Sequence, residues 1–253
     1  MTSSGRESHD RSVRAVAEEA LRRLAVDLPR EGSGERGDRL IDGFCNLLVH
    51  SDPELAPRFV DQVRSGGIGF RELHLRWLAP AARRLGDDWV RDLRNFASVG
   101  LGVSRLHRIL HALGRDVSVA TENDLGAATE VPSALMTIPP NESHTLGTEI
   151  FANLLRHDGW SVDLSVGEPE PQLAGRVQTR APAVIVLVSY DPDADPCLTE
   201  LVRRLRAAGG GRSRIVLAGG LLAHASASAL RAADALLPDL ESAVERMNGL
   251  TGR

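Results

Sequence analysis

The chain has 253 residues, room for one large domain or two ordinary ones, and its 42% hydrophobic and 25% charged residues are the balance of a globular protein. A net charge of -4 gives no general attraction to phosphate backbones, so direct nucleic-acid binding is not expected. No apolar run is long enough to span a bilayer and no secretion-type apolar core opens the chain, so a cytoplasmic protein without membrane attachment is expected.

Residues 1–38 read as an N-terminal helix and a linker. Val13, Val16, Ala17, Ala20, Leu21 and Leu24 fall at helical spacing, and the run from Pro29 to Asp38 is rich in glycine and charge. Residues 39–116 read as a four-helix bundle. Leu40, Ile41, Phe44, Leu47 and Leu48 mark its first helix, Asp52-Pro53 opens the second, and Gly66-Gly67 breaks it. Leu73, Leu75, Trp77, Leu78, Ala81, Leu85 and Trp89 mark the third, and the fourth runs from Asn95 to Leu113. Cys45 and Cys197 lack metal-type spacing and read as small buried hydrophobes. Residues 117–133 are polar, show no apolar period and read as a linker.

Residues 134–253 alternate between strand and helix patterns. The apolar run Ala134–Ile138 ends at Pro139-Pro140, and a helix marked by Ile150, Leu154 and Leu155 follows. Further strands are expected at Trp160–Val166, Ala183–Val188, Ile215–Leu217 and Ala235–Leu237, with helices at Leu198–Ala208 and from Asp239. Such alternation predicts an α/β fold with a doubly wound parallel sheet.

Open sheets of this kind bind ligands outside the carboxyl ends of their strands. Glu142, His144 and Gly147 follow the first strand, Ser189 ends the third, and Gly219-Gly220 end the fourth. A ligating imidazole usually donates its second N–H to a carboxylate. Glu142 is either that partner for His144 or a solvated loop carboxylate. A nucleophile elbow, a zinc-type Cys/His cluster and a P-loop are all missing from the sequence, so an enzyme acting alone is not expected.

The stretch Glu142-Ser143-His144-Thr145-Leu146-Gly147 resembles the Asp-x-His-x-x-Gly motif of cobalamin-binding domains, with Glu142 where the family usually has Asp. Ser189 matches that family's Ser-x-Leu, although Tyr190 and Asp191 follow where an apolar residue is usual, and Gly219-Gly220 match its Gly-Gly. The resemblance implies a Rossmann-like cobalamin-binding fold in which His144 ligates cobalt from below, displacing the cofactor's benzimidazole. Glu142 would orient His144, and Gly147, Ser189, Gly219 and Gly220 would lie toward the displaced nucleotide tail.

The run Leu78 to Trp89 resembles the helical cap that sits over the upper face of cobalamin in photoreceptors and methyltransferases. By that resemblance Trp89 faces the upper corrin surface; the other reading makes it a core aromatic of the bundle. Val99 and Gly100 stand where the cap's Glu-His pair would fall, which implies an altered upper cavity lined by Val99. The runs Trp89–Val99 and Arg105–Leu110 are similar to AerR/PpaA-type regulators of photosynthesis genes.

This similarity implies a light-responsive antirepressor that binds adenosyl-, methyl- or hydroxocobalamin and acts through a transcriptional repressor protein. Light would break a cobalt–carbon bond, and water or a histidine would take the vacated position. His9, His107 and His111 are the candidates for that histidine. Arg83, Arg84, Arg105 and Arg108 read as a solvated helix face, or as partners of the cofactor's edge. The alternatives are a corrinoid methyl-carrier subunit of a methyltransferase and a heme-binding redox sensor on the same fold.

Overall fold

The computed structural model describes residues 35–124, 131–140, 142, 145–190, 195–223 and 225–252, without the side chains of 35–36, 117–124 and 195–197. The helix expected before residue 35, and His9 with it, lie outside the described residues. Two compact units meet between Ile109 and Leu110.

The first unit is helical. Helix α1 (Glu35–Leu48) is followed by α2 (Leu55–Ser65), a short turn of helix at Phe70–Leu73, a π-helical turn at His74–Leu78, α3 (Ala79–Val90) and the start of α4 (Phe96–Asp124). The π turn has a local cause. Pro80 carries no N–H, and the Ala79 N–H reaches back five residues to the His74 carbonyl, so the backbone widens just before the proline. The core is built on Phe44, Phe59 and Trp77: the two phenylalanines stack at 4.9 Å, and Trp77 meets Phe59 edge-on at 4.9 Å. Cys45 is buried, as expected, and donates to the Ala81 carbonyl at 3.7 Å.

Two expectations need correcting here. Helix α1 already begins at Glu35, inside the stretch read as linker, and Arg84 pairs with its Asp42 at 3.0 Å. Arg105 does not lie on a solvated face: it is 6% exposed and donates to the carbonyls of Leu48 at 2.8 Å and His50 at 2.5 Å. Those carbonyls end α1 and have no partner within the helix, so a buried cation there satisfies both groups and the helix dipole. Arg108, on the same helix, is exposed.

Helix α4 runs on to Asp124, through residues that read as linker. Between Arg115 and Asp124 there is neither glycine nor proline, so nothing in the backbone stops it. Among the described residues no helix is long and apolar enough to cross a membrane.

The second unit is a five-stranded, all-parallel sheet. Its elements are β1 (Ser133–Ile138), α5 (Leu146–His157), β2 (Ser161–Val166), α6 (Glu170–Arg180), β3 (Val184–Val188), α7 (Asp195–Ala208), β4 (Arg214–Ala218), α8 (Ala227–Ala232), β5 (Ala235–Leu237) and α9 (Leu240–Thr251). Strand order is β2-β1-β3-β4-β5, with Leu135 of β1 in register with Asp163 of β2 and Ile185 of β3. This is the expected α/β class with a doubly wound parallel sheet.

Side chains alternate across the strands. Leu135, Ile185, Leu187, Ile215 and Leu217 form one face and bury Leu173 and Val177 of α6 with Val202 and Leu205 of α7. On the tail of the unit, Asn248 of α9 accepts from the Trp160 indole at 2.8 Å and donates to Asp158 at 2.7 Å, pinning α9 to the turn after α5. Asp163, on the edge strand β2, is held by Arg176 at 2.5 Å and Arg180 at 2.6 Å.

Candidate functional site at the strand switch

Strand β1 lies between β2 and β3, and the connections leaving β1 and β3 run to opposite sides. The crevice outside their carboxyl ends is the position where such sheets take ligands. Five of the expected site residues, Glu142, Gly147, Ser189, Gly219 and Gly220, are brought together there.

Glu142, just past β1, accepts through Oε1 from the Ser189 hydroxyl in a short hydrogen bond and through Oε2 from the Tyr190 backbone N–H at 2.9 Å. Ser189, the first residue past β3, is buried and also ties β3 to β4. Its N–H donates to the Ala218 carbonyl at 3.2 Å, and its own carbonyl accepts from Leu221 at 3.0 Å. Gly219, at φ +95°, closes that link: a Cβ there would lie 2.5 Å from the Ser189 carbonyl oxygen. Only glycine serves at such a position.

Gly147 and Gly220 flank one side chain, that of Tyr190. A Cβ on Gly147 would lie 2.7 Å from the Tyr190 hydroxyl, and one on Gly220 would lie 3.2 Å from its ring carbon Cδ1. Beside Gly147 at the start of α5, the buried Thr148 hydroxyl has no hydrogen-bond partner among the described residues. His144, Ser143 and Asp191 lie outside the described residues, and the expected Glu142–His144 pairing with them.

On the helical unit, Trp89 is 52% exposed and packs edge-on against Phe96, itself 77% exposed, at 6.5 Å. The aromatic at the bundle core is Trp77, so the core reading of Trp89 falls. Val90 and Leu93 are exposed beside it, and Val99 is buried on α4. His107 is half-buried; His111 is exposed, with Nδ1 3.4 Å from the buried Glu149 carboxylate of α5. Among the described residues, no group of three or more His, Cys, Asp and Glu is placed to hold a metal ion, so the metal expectation rests on His144.

Sequence reasoning passed over Phe96 and treated Tyr190 only as a departure from a motif. Signals for both were present: aromatics make up 4% of the chain, and Tyr190 is its single tyrosine. A large ring directly after a strand-end serine has to lie on something. Here it lies between two glycines.

The polar pair Glu142–Ser189 and the glycines at 147, 219 and 220 give the crevice hydrogen-bonding groups beside backbone that carries no side chains. The space beside Gly147 and Gly220 is taken by Tyr190.

A helical unit ahead of a parallel sheet in this order defines the class of the protein by its fold. The same fold is found in the monomethylamine corrinoid protein of Methanosarcina barkeri, at a TM-score of 0.67 and 12% identity, covering 86% of this chain and 100% of that one. No protein-family model matches the chain. The chain belongs to the family of an uncharacterized 20.5 kDa protein of the bchF-crtJ intergenic region of Rhodobacter capsulatus, 30% identical over 190 residues that span 74% of this chain and 96% of that protein.

Proposed function

We propose that the chain is a cobalamin-binding, light-responsive regulator of the AerR/PpaA type, acting in the cytoplasm as an antirepressor through a transcriptional repressor protein rather than as an enzyme. The observation that carries the reading is the Glu142–Ser189 bridge among glycines at the strand switch, in a fold shared with a corrinoid protein. The family relative's gene region, between bchF and crtJ, supports a place among the photosynthesis genes that such regulators control.

His144 is the proposed lower axial ligand of cobalt, and the exposed Trp89–Phe96 pair is the proposed apolar cover of the upper corrin face. When bound, an alkylcobalamin supplies a cobalt–carbon bond that visible light breaks. Glu142, just past β1, is tied to Ser189, just past β3, by a charge-assisted hydrogen bond. A light-driven change at the upper face would act on the residues that cover it, and the partner would read that repacking.

The test is an absorption spectrum of protein supplied with adenosyl-, methyl- or hydroxocobalamin, or with hemin, before and after illumination. Retained cobalamin and a light-dependent spectrum are expected, with retention lost in His144→Ala. A His144→Ala variant that holds cobalamin as tightly as wild type overturns the ligand assignment, and retention of hemin alone points to the heme sensor. A second reading, a methyl-carrier subunit, is favoured by the fold match to the corrinoid protein. It predicts methyl transfer with a partner enzyme in the dark.

A further inference from the structure

We infer that Tyr190 is a specificity-determining residue of this site: its ring competes with the nucleotide base of a corrinoid for the slot between Gly147 and Gly220. The inference rests on the cobalamin reading and deepens it. The site then takes a corrinoid without its nucleotide, such as cobinamide, at no cost from Tyr190, and takes complete cobalamin only as the ring leaves.

The geometry carries the argument. The phenol lies between two backbones that have no side chains, its hydroxyl toward Gly147 and its ring edge toward Gly220. The gap now holds a planar aromatic ring, and a planar aromatic base is a group of the same kind. Tyr190 is 38% exposed, so the ring lies at the surface and its departure opens a groove rather than an internal void.

The backbone stays anchored while the side chain turns. The Tyr190 N–H is held by Glu142, and Ser189 before it is buried and bonded through its hydroxyl, N–H and carbonyl. Rotation about the first side-chain torsion therefore moves the ring and leaves those contacts in place. A smaller residue at position 190 leaves the glycine slot open in advance, and the cost of displacing the ring disappears from the binding equilibrium.

The experiment compares wild type, Tyr190→Ala and Tyr190→Phe in titrations with cobalamin and with cobinamide. Tyr190→Ala is expected to bind cobalamin roughly fivefold to tenfold more tightly and cobinamide within about twofold of wild type, with Tyr190→Phe near wild type for both. Because Tyr190 is the single tyrosine, a ring-labelled sample gives one tyrosine signal. That signal should move on adding cobalamin and stay on adding cobinamide.

Cobinamide binding by Tyr190→Ala also shows that the variant is folded. Equal changes for both ligands, no change for cobalamin, or an unmoved tyrosine signal overturns the inference and leaves the cobalamin reading standing. Failure of wild type and variants to bind either corrinoid overturns both.

Discussion

The hydroxyl of Ser189 and the carboxylate of Glu142 meet across the point where the strand order reverses, 47 residues apart in the chain. The loops after β1 and β3 leave in opposite directions, and this contact holds them to a common geometry. The same carboxylate also takes the Tyr190 N–H, so one side chain holds the residues on both sides of the Ser189–Tyr190 bond.

Glu142→Ala should destabilise the protein by about 1–3 kcal/mol in urea unfolding, because the buried Ser189 hydroxyl loses its acceptor. Glu142→Gln should cost less, since its amide oxygen still accepts one of the two bonds. A loss below about 0.5 kcal/mol for the alanine variant would show that the bridge does not contribute to folding.

The two tryptophans of the helical unit should behave oppositely. Trp77→Ala removes a ring packed against Phe44 and Phe59 and should cost about 3–5 kcal/mol. Trp89→Ala should stay within about 0.5 kcal/mol of wild type in the same melts, since its side chain is half in solvent. Under the proposed function, only Trp89→Ala lowers corrinoid retention without lowering stability.

Arg105→Ala should cost about 1.5–3 kcal/mol per charged hydrogen bond lost at the end of α1, measured by thermal or urea unfolding. Arg105→Lys should recover part of that, because an ammonium reaches one carbonyl more easily than two. Arg108→Ala, on an exposed face, is the control and should change little.

Asp239 caps α9, accepting the Ser242 N–H at 2.8 Å, and that hydrogen bond holds its carboxyl below the usual carboxylate range. A depressed acid stabilises the fold fully above its unfolded pKa, near ~3.9, and the contribution is lost as pH falls through the folded value. Asp239→Ala should therefore cost about 1 kcal/mol at neutral pH, and the gap to wild type should shrink below about pH 4. A gap independent of pH would mean that the ionised carboxylate is not what caps the helix.

Burial pushes the Cys45 thiol up to about 12, leaving almost no thiolate at ordinary pH. In a Cys197→Ser background the folded protein should resist thiol reagents at pH 8 and take up one equivalent only after denaturation. Rapid labelling in native buffer would show that the α1–α3 contact around Cys45 opens readily.

The strand–loop–helix order around His144 was legible because each signal is local. The apolar run of β1, the Pro139-Pro140 break and the Ile150–Leu154 spacing each need only a few neighbouring residues. The Glu142, Ser189 and glycine positions were legible for the same reason, as strand ends can be counted along the chain.

What could not be read depends on contacts across the fold. Arg105 looks like any charge on a helix until carbonyls 55 and 57 residues away are found beside it. Tyr190 looks like a misfit until the helix start carrying Gly147 and the segment carrying Gly220 are found beside it. The continuation of α4 to Asp124 was hidden for another reason: a helix needs no apolar period where nothing interrupts its backbone.

Asp163 has a consequence for how the molecule behaves among its own copies. A parallel sheet ends in two rows of unsatisfied amides, each a template for a neighbour's strand. Here β5 offers only three residues, and β2 carries a carboxylate clamped by Arg176 and Arg180 that an incoming chain would have to strip and desolvate. Fibril-like stacking through the sheet margins is thereby discouraged at both sides.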